Sequence, residues 1–192
     1  LAAFTRVLES GGTTATVARA IYYSPEFRTA QSERYYENLL GRVGEPGGVT
    51  HWADQLFTGM PEEAVTAAFS SSKEYTGRFG TSGALVTRWY VDLLGRQPDE
   101  VGLAVHTRAL ESGRSPFEVA SALTSSPEFR GVKVRQVYFA ALGRDANAAG
   151  LDAWAGQWQA LGGLGGVTAG VLGSAENHAR LVSVPGVPLP DL

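Results

Sequence analysis

Residues Tyr138–Leu151 form the stretch on which the interpretation of this chain depends: Tyr-Phe-Ala-Ala-Leu-Gly-Arg-Asp-Ala-Asn-Ala-Ala-Gly-Leu, with Trp154 shortly after it. The pattern predicts the end of one helix, a short turn and the start of the next helix. Glycine after the last apolar residue is typical of a left-handed helix terminus, and Asn147 is a typical N-cap. The stretch recurs at residues 36–52 and 90–106, so the chain contains tandem repeats.

The repeats align when the glycine of each Leu-Gly-Arg is position zero: Gly41, Gly95 and Gly143. Tyrosine stands five residues before this glycine, and another glycine stands seven residues after it. An aromatic position follows at plus 11, a valine at plus 24 and the glutamate of a Ser-x-Glu motif at plus 33. The aromatic position holds Trp52, His106 and Trp154, and the valine position holds Val65, Val119 and Val167. These agreements indicate a period of 48 residues, lengthened to 54 between Gly41 and Gly95.

The first 30 residues match only the second half of this repeat, with Phe4 at the aromatic position and Val17 at the valine position. We therefore predict a C-terminal half repeat at 1–30, three whole repeats at 31–84, 85–131 and 132–183, and a proline-rich extended tail at 184–192. These are called the first to fourth repeats below. The half repeat at the start also suggests a piece of a longer protein.

The spacing inside each repeat predicts helices alone. Val119, Ala122 and Leu123 recur at i, i+3 and i+4, which is one face of a helix and not the alternation of a strand. Residues 115–118, Ser-Pro-Phe-Glu, form a capping box with proline at the first helical position. We predict one continuous helix at residues 126–142, because only Gly131 interrupts the helical pattern of this segment. We predict an all-α fold of tandem helical repeats, each with three or four short helices, packed as one array.

Composition narrows the possible functions. A net charge of −3 and scattered arginines give no reason to expect a nucleic-acid partner. No apolar run approaches the roughly 20 residues of a membrane-spanning helix, and no signal peptide opens the sequence. The chain has no cysteine, so disulfide bonds and thiolate metal sites are excluded.

The motifs Leu-Gly-Arg, Gly-Leu-x-x-Trp and Ser-x-Glu-Phe resemble those of a bacterial repeat family known only as a domain of unknown function. The match is clearest at Tyr138, Gly143, Arg144, Gly150 and Trp154. Members occur in exported proteins, including S-layer and RTX-type surface proteins, and are distantly similar to helical domains of phycobilisome linkers and to the lipopolysaccharide-anchoring end of some S-layer proteins. The resemblance spans residues 1–183 and implies an extracellular or cell-surface bacterial protein. It supplies no catalytic residue.

Arginine follows the zero-position glycine in each whole repeat, at Arg42, Arg96 and Arg144. One hypothesis is a row of guanidinium groups that binds phosphates or anionic glycans, since their fork of donors suits such ligands. The alternative is a structural partner for helix-end carbonyls or for the glutamate at plus 33, because a helix C-terminus attracts cations. The pattern favours the structural role.

Two tryptophans of the fourth repeat, Trp154 and Trp158, could stack on sugar rings. The apolar residues four positions after the aromatic position, such as Leu56 and Leu110, indicate instead a stripe that faces the core. The pattern favours burial of these rings.

Other candidate sites have weaker support. Asp145 and its neighbours offer oxygen atoms, but they lack the spacing of a calcium loop, so a capped turn is the favoured interpretation. The three histidines, His51, His106 and His178, show no metal-ligand spacing. No nucleophile elbow or phosphate-binding loop is recognisable. We therefore expect neither a cofactor nor an enzymatic activity.

These patterns predict a non-catalytic structural or interaction module of a bacterial extracellular or surface-layer protein, which mediates assembly or attachment to the cell surface. The expected partners are a second copy of the chain or another surface-protein subunit. The alternative is a module that binds a surface glycan, such as lipopolysaccharide or capsule, through its tryptophans and arginines.

Overall fold

The computed structural model describes residues 2–182, without the side chains of residues 2–5, 178 and 181–182. Within these residues it contains helices and no β-strand, which confirms the all-α prediction. The tail predicted at 184–192 and the side chains of Phe4 and His178 lie outside the described part. The α-helices are α1 (Ala2–Glu9), α2 (Thr14–Tyr22), α3 (Pro25–Tyr35), α4 (Pro46–Phe57), α5 (Glu62–Ser71), α6 (Lys73–Thr76), α7 (Ser82–Trp89), α8 (Glu100–Glu111), α9 (Pro116–Thr124), α10 (Pro127–Leu142), α11 (Ala148–Gly156), α12 (Leu164–Leu172) and α13 (Ala175–Val182).

Helices α9 and α11 begin at the capping residues that the sequence predicts. At α9 the Ser115 hydroxyl accepts from the amide of Glu118, and the Glu118 carboxylate accepts from the amide of Ser115, so the capping box is confirmed. Asp99 and Asn147 cap α8 and α11 by accepting from the amides of residues 102 and 150. The continuous helix predicted at residues 126–142 is α10, which begins one residue later, at Pro127.

The helices before each Leu-Gly-Arg end at a left-handed glycine, with φ of 67° at Gly41, 70° at Gly95 and 68° at Gly143. This terminus is the predicted one. In the second and third repeats the last turn is a wider π-helical turn, at Tyr36–Leu40 and Tyr90–Leu94, whereas α10 stays α-helical to its end. The widened turns have no counterpart among the sequence predictions.

The chain divides into two compact units, and we describe each separately. The central unit comprises residues 25–132. In it α5 packs against α9, the corresponding helix of the next repeat. Val65 and Val119 are buried on these two helices, and the Trp89 indole donates to the carbonyl of Ser70. Small residues on both helices, including Ala67 and Ala120, are fully buried and allow the close approach.

The terminal unit comprises, of the described residues, 2–24 together with 133–182. In it α2 packs against α12, again two corresponding helices from different repeats. The approach is close: a Cβ atom added at Gly165 would lie 2.7 Å from Cε1 of Tyr22. Val134, Trp158 and Val167 are buried in the core of this unit.

The units therefore group the second repeat with the third, and the first half repeat with the fourth. Corresponding helices form the contact in each group, as the shared apolar face requires. The repeat boundaries and the packing of all repeats as one array stay predictions.

Candidate functional site

The arginine after each zero-position glycine binds the glutamate at plus 33 of the same repeat. Arg42 donates from Nε and Nη2 to the two carboxylate oxygens of Glu74, at 2.6 and 2.8 Å. Two parallel bonds of this kind fix the geometry of both groups. The same two-bond pair joins Arg96 to Glu128 at 2.5 and 2.9 Å and Arg144 to Glu176 at 2.5 and 2.7 Å.

Each of these guanidinium groups also contacts a tyrosine ring and a backbone carbonyl. The guanidinium carbon of Arg42 lies 5.0 Å from the ring centroid of Tyr36, a favourable cation–π distance. Its Nη1 donates to the carbonyl of Val43 at 3.0 Å. The equivalent ring distances are 5.1 Å for Arg96 on Tyr90 and 5.2 Å for Arg144 on Tyr138. The arginines are thus held in place by their own repeats.

In two of these pairs, Arg42–Glu74 and Arg144–Glu176, the hydrogen bonds shift the pKa of both partners. The hydrogen bond from Arg42 lowers the pKa of Glu74, and that from Arg144 lowers the pKa of Glu176. The same bonds raise the pKa of both arginines, led by the bond to the carboxylate. An external anion would have to displace a charged carboxylate before it could use these donors.

Of the two roles considered for these arginines, the structure displays the structural one, and the partner is the glutamate. Different arginines contact the helix-end carbonyls. Arg78 donates to the carbonyls of Leu39, at 2.9 Å, and Leu40, and Arg180 donates to the carbonyl of Ala141. Neither of these two arginines was predicted from the sequence. Both arginines stand 37 residues after a zero-position glycine, and this shared position was the sequence feature that could have identified them.

The tyrosine of each repeat packs against the glycine at plus 7. A Cβ atom added at Gly150 would lie 2.9 Å from the hydroxyl oxygen of Tyr138, and Gly48 and Gly102 face Tyr36 and Tyr90 still more closely. Real Cβ atoms essentially never approach below 3.0 Å. The recurring glycine therefore provides the space that the tyrosine ring occupies.

The tryptophans proposed for sugar stacking belong to the cores. Trp158 is only 1% exposed, so its ring offers no face to a sugar in this structure. Trp154 is half-buried, and its indole donates to the hydroxyl of Tyr138 at 2.8 Å. Trp52 packs against the ring of Phe69, with centroids 5.0 Å apart. This agrees with the core stripe favoured by the sequence.

Among the side chains that the structure describes, no three His, Asp or Glu residues are grouped to hold a metal ion. The Asp145 carboxylate accepts from the amide of Ala146 at 2.8 Å, as in a capped turn. His51 is exposed, and His106 is half-buried beside Tyr90, where burial lowers its pKa.

A buried ion pair in the central unit was not anticipated. Arg28 is 3% exposed, and its Nη1 lies 3.2 Å from a carboxylate oxygen of Glu62 and 2.6 Å from the side-chain oxygen of Gln31. Breaking a buried pair leaves an uncompensated charge, so this cluster fixes α3 against α5. Arg28 directly follows a Ser-Pro-Glu-Phe motif, as the half-buried Arg130 does, and this shared position was the available signal in the sequence.

One shallow depression lies on α2 in the terminal unit. Its volume is about 390 Å³, and it is lined by Thr16, Arg19, Ala20 and Tyr23. The guanidinium carbon of Arg19 lies 5.5 Å from the centroid of the Tyr23 ring. With one charged group already stacked on an aromatic ring, the depression contains no arrangement suited to acid–base or nucleophilic chemistry.

Comparison with known proteins adds a family match for part of the chain. The model of a domain of unknown function, DUF4214, matches residues 18–79. The matched range includes one Leu-Gly-Arg motif and the pair formed by Arg42 and Glu74. Searches of the curated proteins and of the solved structures found no match. In the described part of the chain, no helix is both long enough and apolar enough to cross a membrane.

Proposed function

We propose that this chain is a non-catalytic interaction module of a bacterial extracellular or surface-layer protein, where it mediates assembly or attachment to the cell surface. The observation that carries the proposal is how the recurring polar residues are used. In each whole repeat the arginine binds the glutamate of that repeat and stacks on its tyrosine. The recurring arginine, glutamate and tyrosine side chains thus stabilise the fold of each repeat. We therefore expect the interaction surface to lie between these positions.

The exposed apolar side chains of α8 support a role in association. Val101 and Val105 stand one helical turn apart and are 72% and 54% exposed. No residue of α8 is fully buried. Exposed apolar side chains on one helical face are a feature of protein interaction sites. We propose that this face, formed by Val101 and Val105, contacts a second copy of the chain.

The extracellular location is supported by the motif resemblance to exported repeat proteins. The match to a domain of unknown function is compatible with this location but names no activity. A glycan-binding role has less support, because Trp158 is buried and the guanidinium group of Arg144 is bound to Glu176.

Sedimentation velocity of the purified chain over a concentration series tests the proposal, together with co-sedimentation with bacterial envelope fragments. We expect concentration-dependent association that Val101→Asp combined with Val105→Asp abolishes. Val43→Asp changes another exposed valine, 82% exposed, and is the matched control that should associate normally. A chain that stays monomeric and binds no envelope material would contradict the proposal.

A further inference from the structure

The exposed side of α8 extends beyond its two valines and has a charged residue at each end. Four exposed residues recur at i, i+3, i+4 and i+7 and so share one side of the helix: Val101, Ala104, Val105 and Arg108. Glu100 is also exposed and lies in the first turn of α8, whereas Arg108 lies in the last turn. We call these five side chains the α8 face.

The two charged residues of the α8 face have no opposite charge beside them. Among the residues that the structure describes, neither Glu100 nor Arg108 forms an ion pair, whereas Arg96, in the turn before α8, pairs with Asp99. Eight residues separate Glu100 from Arg108, which is about 12 Å along a helix. The apolar part of the face thus lies between an acidic end and a basic end.

This combination occurs in the third repeat alone among the whole repeats. At the positions of the two valines, the second repeat has Gly47 and His51, and the fourth repeat has Ala149 and Ala153. Neither α4 nor α11 has an acidic residue in its first turn or a basic residue in its last turn. The α8 face is therefore not part of the packing that the repeats share.

A second copy of α8 is complementary to this face when the two helices run antiparallel. A two-fold axis near Ala104 and Val105 then places the acidic end of each helix beside the basic end of the other. The valines form the apolar centre of the contact, and the methylene groups of Arg108 cover the partner's Val101. Parallel helices would instead bring like charges together, which is unfavourable.

We propose that two copies of the chain associate through antiparallel α8 helices, with Glu100 of each copy paired to the partner's Arg108. The inference rests on the proposed function, in which Val101 and Val105 contact a second copy, and adds the residues that set the geometry and specificity of that contact. Because a two-fold contact uses the same surface on both copies, it closes at the dimer and does not propagate. One 12-residue helix per copy gives a small contact, as in weak and transient complexes.

Charge reversal tests the pairing, measured by sedimentation velocity over a concentration series. Glu100→Arg converts the two pairs into two arginine–arginine contacts, and Arg108→Glu converts them into two glutamate–glutamate contacts. We expect each variant alone to dimerise about tenfold more weakly than the wild type, since like charges then face each other twice. An equimolar mixture of the two variants should form heterodimers with near wild-type affinity, because every pair is again opposite in charge.

The mixture separates pairing between copies from a structural role within one copy. Mixing restores a contact between chains but cannot repair a destabilised helix, and circular dichroism of each variant verifies its helical content. Glu33→Arg is the matched control, because it reverses another exposed glutamate of the central unit. We expect it to dimerise as the wild type does.

Disulfide formation reports the relative direction of the two helices, because the chain has no cysteine of its own. A mixture of Glu100→Cys and Arg108→Cys chains should give disulfide-linked heterodimers on mild oxidation. Glu100→Cys alone should give few, because its two thiols would lie at opposite ends of the helix pair, more than about 10 Å apart. Predominant linkage between two Glu100→Cys chains would indicate parallel helices and overturn the inference.

A mixture of the charge-reversed variants that associates no better than each variant alone would overturn the inference, and so would normal dimerisation of both variants. Either result, together with association that Val101→Asp combined with Val105→Asp abolishes, would leave the proposed function intact. A chain that stays monomeric at every concentration would overturn the inference as well, whereas its binding to envelope fragments would still support the proposed function.

Discussion

Glycine recurs seven residues after the glycine of each Leu-Gly-Arg because a tyrosine ring occupies the space that a side chain would need. At Gly102 a Cβ atom would lie 3.0 Å from Cζ of Tyr90 and closer still to its hydroxyl. Tyr90 is 5% exposed and lies beneath Arg96, so the ring has little freedom to move aside. At this position the absence of a side chain is a packing requirement.

The residue-scale prediction is that Gly102→Ala destabilises the chain although alanine favours helices. We expect the free energy of unfolding to fall by about 1–2 kcal/mol, since overpacking outweighs the gain in helix propensity. Urea-induced unfolding followed by circular dichroism measures the change. Gly47→Ala is the control, because a Cβ atom there meets nothing within 4 Å, and it should not destabilise. Equal stability of Gly102→Ala and the wild type would contradict the packing argument.

The arginine–glutamate pairs act at the scale of elements, since each joins the turn after one helix to the first turn of another. Glu176 lies at the start of α13, and Arg144 lies in the turn after α10. The left-handed glycine before the arginine ends the preceding helix. The left-handed helix terminus and the arginine of the salt bridge are therefore adjacent residues in each whole repeat.

The lowered pKa of Glu176 in its pair with Arg144 predicts a loss of stability in acid. The pKa of Glu176 is lowered in the folded chain by the hydrogen bond from Arg144, relative to an ordinary value of 4.5. A lowered folded-state pKa gives stability that is complete above the unfolded-state pKa and is lost as the pH falls through the folded-state value. We expect the melting temperature to fall below about pH 4.5, and to fall less steeply in Glu176→Gln.

The measurement is a series of thermal melts from pH 7 to pH 3. Glu111→Gln is the control, because Glu111 is an exposed glutamate that forms no ion pair within residues 2–182. Its pH profile should follow that of the wild type. If Glu176→Gln also followed the wild type throughout, the pair would contribute nothing to acid sensitivity.

At the scale of the whole molecule, the chain forms two compact units, each built around a contact between corresponding helices of two repeats. The central unit is continuous in sequence, whereas the terminal unit combines the beginning of the chain with its later part. Each unit has its own cluster of buried apolar residues. A unit with its own core has the basis for folding independently.

We therefore predict that residues 25–132 fold as an isolated fragment. Circular dichroism should show a helical spectrum and a cooperative thermal transition. A fragment of residues 25–111 is the control: it lacks α9, so α5 loses its main packing partner and cooperativity should disappear. A longer fragment without a cooperative transition would show that the central unit depends on the rest of the chain.

Much of the local structure could be predicted from the sequence, because it depends on interactions over a few residues. The capping box at Ser115, the helix terminus at Gly143 and the continuous α10 all follow from short-range hydrogen bonding and steric limits. The contacts of the candidate site could be predicted less well from the sequence. The sequence placed Arg42 at a helix end but left open whether it bound carbonyls or a glutamate 32 residues away.

The sequence by itself determined that this chain is helical, where most helices begin and end, and which positions recur. Only the tertiary structure decided that Arg42 binds Glu74, that Arg28 pairs with Glu62, and that α2 lies against α12. The physical reason is that the four corresponding helices, α2, α5, α9 and α12, carry nearly interchangeable apolar faces. Interactions between residues close in sequence cannot decide which of these helices pack against each other. That choice depends on which side chains distant in sequence pack closely together.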